Sequence, residues 1–490
     1  MNLIPVTRTP VRLTPDPQRV ITRPFLPGEE IFPDGRSRAE LIIKRILAMP
    51  ESEVASTLAT TQDQFAHRHS GFSGILDRNF ALVADHIDHP NDLSQERRLL
   101  IGAYFTQEYS IEAAALSNPS MVPAPDQSGL NPGEQRFIMS LRAVGEGHLS
   151  SIEFRSGVVD ASGQIMTDEA SRYAMTGSRT TPLYDKHVFS AKLEELGALD
   201  DITRTCLEPL PPQFTFEQLE AAILDLHRQG LDPAVAFQTT TIIHWLASSN
   251  YDSTFPTDSD ISERVIFPAG PTESHGMEDA RFVRFTHDDG TVVYFATYTA
   301  FGGTQILPQL VETSDFVSFR IATLNGSAAQ NKGIALFPRK IDGRYVALSR
   351  QDNENNYLMF SDNVRFWGDS EKIQIPDRPW ELVQIGNCGS PLETEAGWLM
   401  ITHGVGPLRR YTLGAILLDA QDPSRVIGHL EDPLLAANAD ERDGYVPNVV
   451  YSCGSMIHGD LLVIPYGFSD IGAGVATASL DDLLTRLTEK

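Results

Sequence analysis

The stretch ESHGMEDARF, residues 273–282, combines a histidine, two adjacent acids and an arginine at the start of an alternating segment. Charged side chains at the edge of a predicted strand are solvated, paired or used in chemistry, because burying them alone is costly. Side chains two residues apart on a strand share a face, so Asp279 and Arg281 are predicted to point one way and Glu278 the other. This excludes Glu278 and Asp279 as a pair facing one substrate. Two interpretations of Asp279 remain: a structural ion pair with Arg281, or a catalytic group.

Polar residues also end other alternating segments, at Arg142, Arg350, His403 and Asp470. These segments share a pattern of an alternating strand, a polar loop and a second strand. Three of the copies begin about 50 residues apart, which is the period of a four-stranded propeller blade. The five copies cover residues 137–157, 294–319, 345–367, 397–423 and 460–482.

The repeat predicts a mainly β protein with a five-bladed β-propeller at residues 117–490. A β-sandwich is the alternative, because alternating strands with glycine turns build both folds. In a propeller the innermost strands point polar ends into one central channel, and a site there draws one or two residues from each blade. The polar residues at the strand ends are therefore predicted to share one site.

The N-terminal quarter of the chain has a different pattern. Residues 1–35 are Pro-rich and polar, which predicts an extended arm. Residues 36–116 are predicted to form a helical module. In its last part Ser94 is a suitable N-cap, and apolar residues recur at helical spacing as far as Ala113.

A helical insertion is predicted at about residues 200–250, between the first two blades. Thr215 with Gln218 fits a capping box, and Gly230 suits a helix stop. The helical additions are long enough to cover one mouth of the channel or to form a homo-oligomer interface.

The composition excludes several classes of function. The 490 residues carry a net charge of -26, which argues against nucleic acid or an anionic membrane as partner. Three cysteines, none close to another in sequence, predict neither a disulfide framework nor a CxxC metal site, and we expect no metal. We see no secretory leader and no apolar run of about 18 residues, so the cytoplasm is the default location.

Several motifs together resemble one enzyme family. GMEDARF resembles the G-x-E-D-x-R signature of glycoside hydrolase family 130, the β-mannoside phosphorylases and mannosidases. NKGIALFPRKIDGRY is similar to the family stretch N-K-D-x-x-L-F-P-x-K-I-x-G-K-Y, and WELVQIGNCGSPLETEAGWL to W-x-x-x-K-I-G-x-G-x-P-P-I-x-T-x-x-G-W-L. The matches follow the family order over roughly 117–483. The resemblance implies a five-bladed propeller and cleavage of terminal β-mannosides with inversion.

The resemblance also implies roles for individual residues. Asp279 matches the catalytic acid, which in the phosphorylases acts through a sugar hydroxyl. Asn118, Arg142 and Asp470 match positions that hold the non-reducing mannosyl unit, and Glu278 and Arg281 of the signature are expected to contribute to substrate binding. His403 matches a histidine near the phosphate or the reaction centre.

One departure from the family pattern bears on the attacking group. Gln384 stands where the phosphorylases have a lysine that helps to hold inorganic phosphate. Arg350, His403 and Lys332 are the remaining candidates on that side. Since a phosphate dianion needs several cations to offset its lost hydration, this departure favours hydrolysis by water. The alternative is a phosphorylase that uses phosphate as co-substrate and releases mannose 1-phosphate.

A hydrolase needs a general base about 6.5–9.5 Å from the acid for inversion. Glu354, in a loop that leaves the same repeat as Arg350, is the favoured candidate, with Glu153 and Glu273 as rivals. We expect a small oligosaccharide as substrate and no cofactor. A catalytically silent sugar-binding propeller is the alternative from another class, although the retained acid at Asp279 argues against it.

Overall fold

The computed structural model describes residues 4–27, 37–228, 233–268, 270–303 and 306–489. These residues fall into two compact units. The first unit comprises the described residues up to Pro15, then Ala114–Ala170 and the described residues from Gly177 onwards. The second unit comprises Asp16–Ala113 and Ser171–Thr176.

The α-helices of the described residues, numbered in chain order, are α1 (Arg38–Leu47), α2 (Glu51–Phe65), α3 (Phe72–Ala81), α4 (Gln95–Tyr104), α5 (Lys186–Glu195), α6 (Asp201–Leu207), α7 (Phe216–Arg228), α8 (Pro233–Ser248) and α9 (Leu480–Thr488). Within the described ranges, every helix is too short or too polar to cross a membrane.

The strands of the same residues are β1 (Val6–Leu13), β2 (Val20–Pro24), β3 (Thr106–Ser110), β4 (Ala115–Pro123), β5 (Gln135–Val144), β6 (Ser150–Val159), β7 (Ile165–Thr167), β8 (Met175–Thr176), β9 (Ser178–Thr180), β10 (Tyr184–Asp185), β11 (Gln213–Phe214), β12 (Tyr251–Thr254), β13 (Arg264–Ile266), β14 (Met277–Thr286), β15 (Val292–Phe301), β16 (Ile306–Thr313), β17 (Ser318–Thr323), β18 (Lys332–Leu336), β19 (Tyr345–Arg350), β20 (Asn356–Ser361), β21 (Ser370–Gln374), β22 (Gln384–Asn387), β23 (Leu392–Thr394), β24 (Gly397–Val405), β25 (Tyr411–Leu418), β26 (Val426–His429), β27 (Leu435–Ala436), β28 (Val450–Tyr451), β29 (Met456–His458), β30 (Leu461–Phe468) and β31 (Gly472–Ser479).

The first unit is mainly β, as predicted. Its larger antiparallel sheets have the strand orders β4-β5-β6-β13, β14-β15-β16-β17-β12-β9, β18-β19-β20-β21, β22-β24-β25-β26 and β28-β30-β31-β1. Each copy of the sequence repeat coincides with the second and third strands of one of these sheets. The first strands β4, β14, β18 and β22 contact one another in turn, and β30 of the last sheet contacts β4.

Apolar clusters fill the spaces between consecutive sheets. Leu336 and Met359 of the third sheet pack against Phe285 and Phe295 of the second. Comparable clusters join the third sheet to the fourth, the fourth to the fifth and the fifth to the first. Each fully buried large side chain of this kind contributes about 1.5–3 kcal/mol, so the packing of sheet on sheet holds the first strands at fixed positions.

The N-terminal segment does not form one arm. Strand β1 pairs with β31 in the first unit, whereas β2 pairs with β3 in the second. Residues 1–3 and 28–35 of the predicted arm lie outside the described residues.

The second unit contains α1 to α4 around a core that includes Ile43, Leu76 and Leu100. Ser94 caps α4 as predicted and accepts a hydrogen bond from the backbone N–H of Arg97 at 3.2 Å. The expectation of helical structure as far as Ala113 is wrong, because α4 ends at Tyr104 and the following Thr106–Ser110 pairs with β2.

Helices α6 to α8 fall within the predicted insertion at about residues 200–250, and α5 lies just before it. The Thr215 backbone N–H donates to Gln218 Oε1 at 2.9 Å and the Gln218 N–H donates to Thr215 Oγ1 at 3.3 Å, which confirms the capping box. Leu219, Ile223 and Leu226 of α7 are buried in a core formed by the insertion itself. Gly230, the predicted stop, lies outside the described residues, and α7 ends at Arg228.

Candidate active site

Asp279 lies on a bulge near the start of β14. Glu278 pairs with Thr299 and Arg281 with Thr297, so two residues of β14 oppose one of β15. Asp279 has a φ of 56°, in the left-handed region that non-glycine residues other than Asn and Asp rarely adopt. The predicted alternation is therefore wrong at this point, because the bulge breaks the period of two.

The same bulge recurs in the first strand of three sheets. In β4, Ser117 pairs with Arg142 and Ser120 with Ser140, and Asn118 between them has a φ of 52°. In β18, Lys332 pairs with Arg350 and Ala335 with Leu348. Gly333, which occupies the corresponding position, has a φ of 85°. Asn118, Asp279 and Gly333 are thus equivalent positions of the repeat.

Two side chains hold the Asp279 carboxylate. Asn118 Nδ2 donates to Asp279 Oδ1 at 2.6 Å, and Arg281 Nη2 lies 3.8 Å from Oδ2. Arg281, which is 1% exposed, also donates to the Asp279 backbone carbonyl at 3.0 Å and to the hydroxyl of Tyr451 at 2.7 Å. Asp279 and Arg281 therefore do form an ion pair, and Arg281 is fixed by further contacts.

The electrostatic surroundings keep Asp279 ionised. Burial is the largest single effect and by itself raises the pKa of this carboxyl, whereas the positive charge of Arg281 lowers it. The charges of Arg142 and Lys332 and the hydrogen bond from Asn118 act in the same direction. The net result is an Asp279 pKa below the ordinary value for aspartate.

Glu278 joins two cations beside Asp279. It accepts from Arg142 Nη2 at 2.9 Å and from Lys332 Nζ at 2.6 Å. Because the same two cations act on the Asp279 carboxyl, Glu278 and Asp279 belong to one cluster rather than to opposite faces of the strand. Glu278 thus connects Arg142 of the first sheet to Lys332 of the third.

Asp470 follows β30 and has a φ of 51°. Burial raises the pKa of this carboxyl; Arg142 opposes that shift, and Asp279 adds to it. Of the two aspartates in the cluster, Asp470 holds a proton more readily and Asp279 less readily. Their pKa values are shifted in opposite directions by their surroundings.

Arg350 and His403 form a buried pair at the ends of β19 and β24. Arg350 Nη1 donates to His403 Nε2 at 2.8 Å, which leaves the proton of a neutral imidazole on Nδ1. Burial lowers the His403 pKa well below its ordinary value, and the charges of Arg350 and Arg281 lower it further. His403 is therefore neutral near pH 7 and adds no positive charge to that of Arg350.

The remaining predicted residues lie less close to this cluster. Gln384 begins β22 and shares a strand face with Gly386, where an added Cβ would approach Arg350 Cδ to 3.0 Å. Glu354 is exposed in the turn after Arg350, on the side of Lys372, and its carboxylate takes no part in the contacts around Asp279 that the described residues show. The structure therefore does not place the favoured base in the cluster.

The rival bases have other partners. Glu153 lies on β6, the third strand of its sheet, with Arg155 Nη1 at 3.5 Å. Glu273 is buried and accepts hydrogen bonds from the hydroxyls of Tyr251 and Tyr298. Glu153 thus has a partner on its own strand, and Glu273 has two on strands of the second sheet.

Sequence reasoning missed three residues of the site. Tyr451 orients Arg281 through the hydroxyl contact described above. The Cys388 thiol lies 3.7 Å from His403 Nδ1, and burial raises the pKa of Cys388 to about 12, so it stays protonated. Asn387 ends β22 and is 1% exposed. The run IGNCG carries the last two, but nothing in its composition distinguishes it from a turn.

The cluster as a whole is built for an anionic or polyhydroxylated ligand. Arg142, Arg281 and Lys332 act on the Asp279 carboxyl and Arg350 is the register partner of Lys332, while the chain as a whole is strongly acidic. Arginine and aspartate are common ligands of sugar hydroxyls, and arginine and lysine of phosphate. Among the described residues, no group of three His, Cys, Asp or Glu side chains could hold a metal ion.

Comparison with known proteins gives consistent matches. The sequence model of a family described as β-1,4-mannooligosaccharide phosphorylase matches residues 248–489. A 1,2-β-oligomannan phosphorylase of Thermoanaerobacter sp. (strain X514) is 34% identical over 223 residues, which cover 43% of this chain and 71% of that protein. A β-1,2-mannobiose phosphorylase of Listeria innocua serovar 6a is 32% identical over 230 residues, covering 45% of this chain and 63% of that protein.

A solved structure also aligns with the chain. The β-1,2-mannobiose phosphorylase from Listeria innocua in complex with β-1,2-mannobiose aligns over 77% of this chain and 93% of that chain, with 21% identity and a TM-score of 0.45.

Proposed function

The chain is an enzyme that belongs to glycoside hydrolase family 130, and we propose that it is a phosphorylase that cleaves terminal β-mannosides with inversion and releases mannose 1-phosphate. The named relatives support phosphorolysis, the alternative above, better than the expected hydrolysis. Both relatives described above are named for β-1,2-linked mannosides, so we propose a β-1,2-mannoside as the first substrate to test.

The observation that carries the proposal is the arrangement of cations on one side of Asp279. Lys332 and Arg350 are register partners on adjacent strands, and Lys332 contacts Glu278 next to Asp279. Arg350 Nε is buried and makes no hydrogen bond to any described residue, so one donor is free for a ligand. These groups can offset much of the hydration that phosphate loses on binding.

The depressed pKa of Asp279 fits a reaction that requires phosphate. An ionised Asp279 cannot protonate a leaving group. When the phosphate dianion enters, its charge offsets that of the cations which depress the pKa of Asp279, and this pKa rises. Phosphate then serves both as nucleophile and as the ligand that lets Asp279 hold its proton.

In the proposed reaction a phosphate oxygen attacks the anomeric carbon from the face opposite the leaving sugar. The carbon–oxygen bond to that sugar breaks, and the leaving oxygen takes the proton of Asp279, directly or through a sugar hydroxyl. Asn118, Arg142 and Asp470 hold the terminal mannosyl unit, while Asn118 and Arg281 fix the direction of the Asp279 carboxyl.

The sheets support a proposal for the fold. We propose that the larger sheets of the first unit are the five blades of a β-propeller, with the first strands around the central channel and β1 completing the last blade. The catalytic domain would then extend from about residue 117 to 490. The residues at 36–116 would form an N-terminal module.

Hydrolysis is a second candidate because of Gln384, which leaves the phosphate side without the lysine of the family pattern. Under that reading, water attacks instead of phosphate. The exposure of Glu354 weakens this candidate, because a general base in the site is expected to be shielded from solvent.

The test is incubation with β-1,2- and β-1,4-mannobiose, with and without phosphate, and quantification of mannose and mannose 1-phosphate. Phosphorolysis gives mannose 1-phosphate at a rate that saturates with phosphate. Arg350→Gln should raise the KM for phosphate, while Arg344→Gln, an exposed arginine just before the same strand, should not. Release of mannose at a rate independent of phosphate would establish hydrolysis instead.

A further inference from the structure

The bulge in the third sheet differs from the bulges in the first two sheets in the residue at its centre. At the equivalent positions, Asn118 and Asp279 place polar side chains in the site, and the two are hydrogen-bonded to each other. Gly333 places none. The repeat therefore leaves a space in the third sheet where a polar side chain stands in the first two.

The size of this space follows from the glycine geometry. A Cβ built on Gly333 would lie 3.4 Å from Arg350 Cβ, 3.5 Å from Asn387 Oδ1 and 4.0 Å from Arg350 Nε. These are ordinary van der Waals distances, so the space accepts one small group without displacing its neighbours. Such a group would lie between a guanidinium donor and an amide acceptor.

Both of those polar atoms lack partners. Arg350 Nε and Asn387 Oδ1 are buried, and neither makes a hydrogen bond to the residues that the structure describes. Arg350 is 8% exposed and Asn387 1%. The amide orientation is supported by Asn387 Nδ2, which lies 3.5 Å from the Gly389 carbonyl oxygen. A buried donor and a buried acceptor on either side of one space suit a ligand group that pairs with both, because leaving each of them unpaired costs free energy.

The chemistry of the missing group follows from this pair. It must accept a hydrogen bond from Arg350 Nε and donate one to Asn387 Oδ1. A protonated oxygen does both, and the P–OH group of hydrogen phosphate is such an oxygen. Sulfate has the same shape and charge but no O–H at neutral pH, so one of its oxygens would face the amide oxygen unpaired.

We propose that Asn387 is a specificity-determining residue that accepts a hydrogen bond from the P–OH group of inorganic phosphate in the space at Gly333, and so selects phosphate against sulfate. This inference rests on the proposed phosphorylase function and names the contact that recognises its nucleophile. Neutral His403 contributes by holding Arg350 from the other side, which directs Arg350 Nε towards the space.

The experiment measures the affinity of the full chain for inorganic phosphate and for sulfate by calorimetry, and the inhibition of phosphorolysis by sulfate. The wild type should prefer phosphate by about 10- to 100-fold, the range for a hydrogen bond to a charged group. Asn387→Leu should remove most of that preference, because it lowers the affinity for phosphate and raises the affinity for sulfate. Asn387→Asp keeps a hydrogen-bond acceptor, so it should keep the preference while its negative charge lowers the affinity for both anions.

Thr402→Val is the matched control. Thr402 is the register partner of Asn387, and its buried hydroxyl also makes no hydrogen bond to a described residue, but it lies towards Gly414 and Trp380. This variant should leave the preference unchanged. A purely structural role for Asn387 would instead make Asn387→Leu lower the affinity for both anions alike and keep the preference.

Gly333→Asp is a second, independent variant. Aspartate tolerates the left-handed backbone, and its carboxylate would fill the space and pair with Arg350, so phosphate affinity should fall at least tenfold while mannobiose still binds. Equal wild-type affinity for phosphate and sulfate would overturn the inference even if mannose 1-phosphate is formed. Conversely, a selective anion site without mannose 1-phosphate would support the contact and overturn the proposed function.

Discussion

Asp279→Asn should abolish turnover and leave the fold intact, and the structure allows the two effects to be separated. Asparagine adopts the left-handed backbone at least as readily as aspartate, so the φ of 56° remains accessible. Asn118 can still donate to the amide oxygen. Arg281 loses an ion pair at 3.8 Å but keeps its hydrogen bonds to the backbone of residue 279 and to Tyr451. We expect the free energy of unfolding to change by about 1 kcal/mol or less.

The expected loss of rate is much larger. General acid catalysis contributes about 10²- to 10⁴-fold, which corresponds to about 3–5 kcal/mol of barrier. The assay is single-turnover release of mannose 1-phosphate from β-1,2-mannobiose, with binding of the disaccharide measured by calorimetry. The leaving group of an aryl β-mannoside departs without a proton. On that substrate the Asp279→Asn variant should lose much less rate than on the disaccharide.

The matched control is Asp352→Asn. Asp352 is an exposed carboxylate that accepts hydrogen bonds within its own turn, from the backbone N–H groups of Glu354 and Asn355. The same substitution there should leave turnover unchanged. If the Asp279 variant kept more than about a tenth of the wild-type rate on the disaccharide, the assignment of Asp279 as acid would be wrong.

The other predictions concern charge in the same cluster. His403 is buried and neutral, so the free energy of unfolding should fall as the pH drops below about 6.5, the ordinary histidine pKa, towards its depressed folded value. His403→Gln should flatten that slope between pH 7.5 and 5 in thermal unfolding, and an unchanged slope would contradict the neutral assignment. The pKa of Asp470 is raised, so its contribution to stability is present in acid and lost as the pH rises through the folded pKa. Asp470→Asn should therefore raise Tm more at pH 7 than at pH 4; equal shifts would show that Asp470 is not desolvated. Gln384→Lys should lower the KM for phosphate with little change in the KM for the mannoside. If the ratio of these two KM values stayed the same, residue 384 would lie away from the bound phosphate.

The sequence repeat could be read because its signal is local. The second and third strands of each sheet alternate between polar and apolar residues, and a short polar loop joins them, as between Tyr345 and Ser361. The first strands gave no comparable signal, although they hold Asn118, Asp279 and Lys332. These strands are short or buried on both faces, so they lack a clear alternation.

The end of α4 shows a limit of periodicity. Phe105, Tyr109 and Ala113 are four residues apart, which is also the spacing of a helix face. The segment instead pairs with β2, a contact across about 85 residues that no local pattern contains. Helical spacing of apolar side chains therefore does not suffice to predict a helix where a distant strand offers the backbone another set of hydrogen bonds.

The wrong orientation predicted for Glu278 and Asp279 has a related cause, but here the sequence did carry a signal. A bulge needs a residue that tolerates positive φ, and asparagine, aspartate and glycine tolerate it best. The chain has Asn118, Asp279 and Gly333 at the same point of three first strands, each followed two residues later by the return of regular pairing. Aligning the first strands of the repeat would have revealed this series. The backbone conformation and the polar chemistry of the site therefore select the same residue types, and the glycine in the series marks where a ligand takes the place of a side chain.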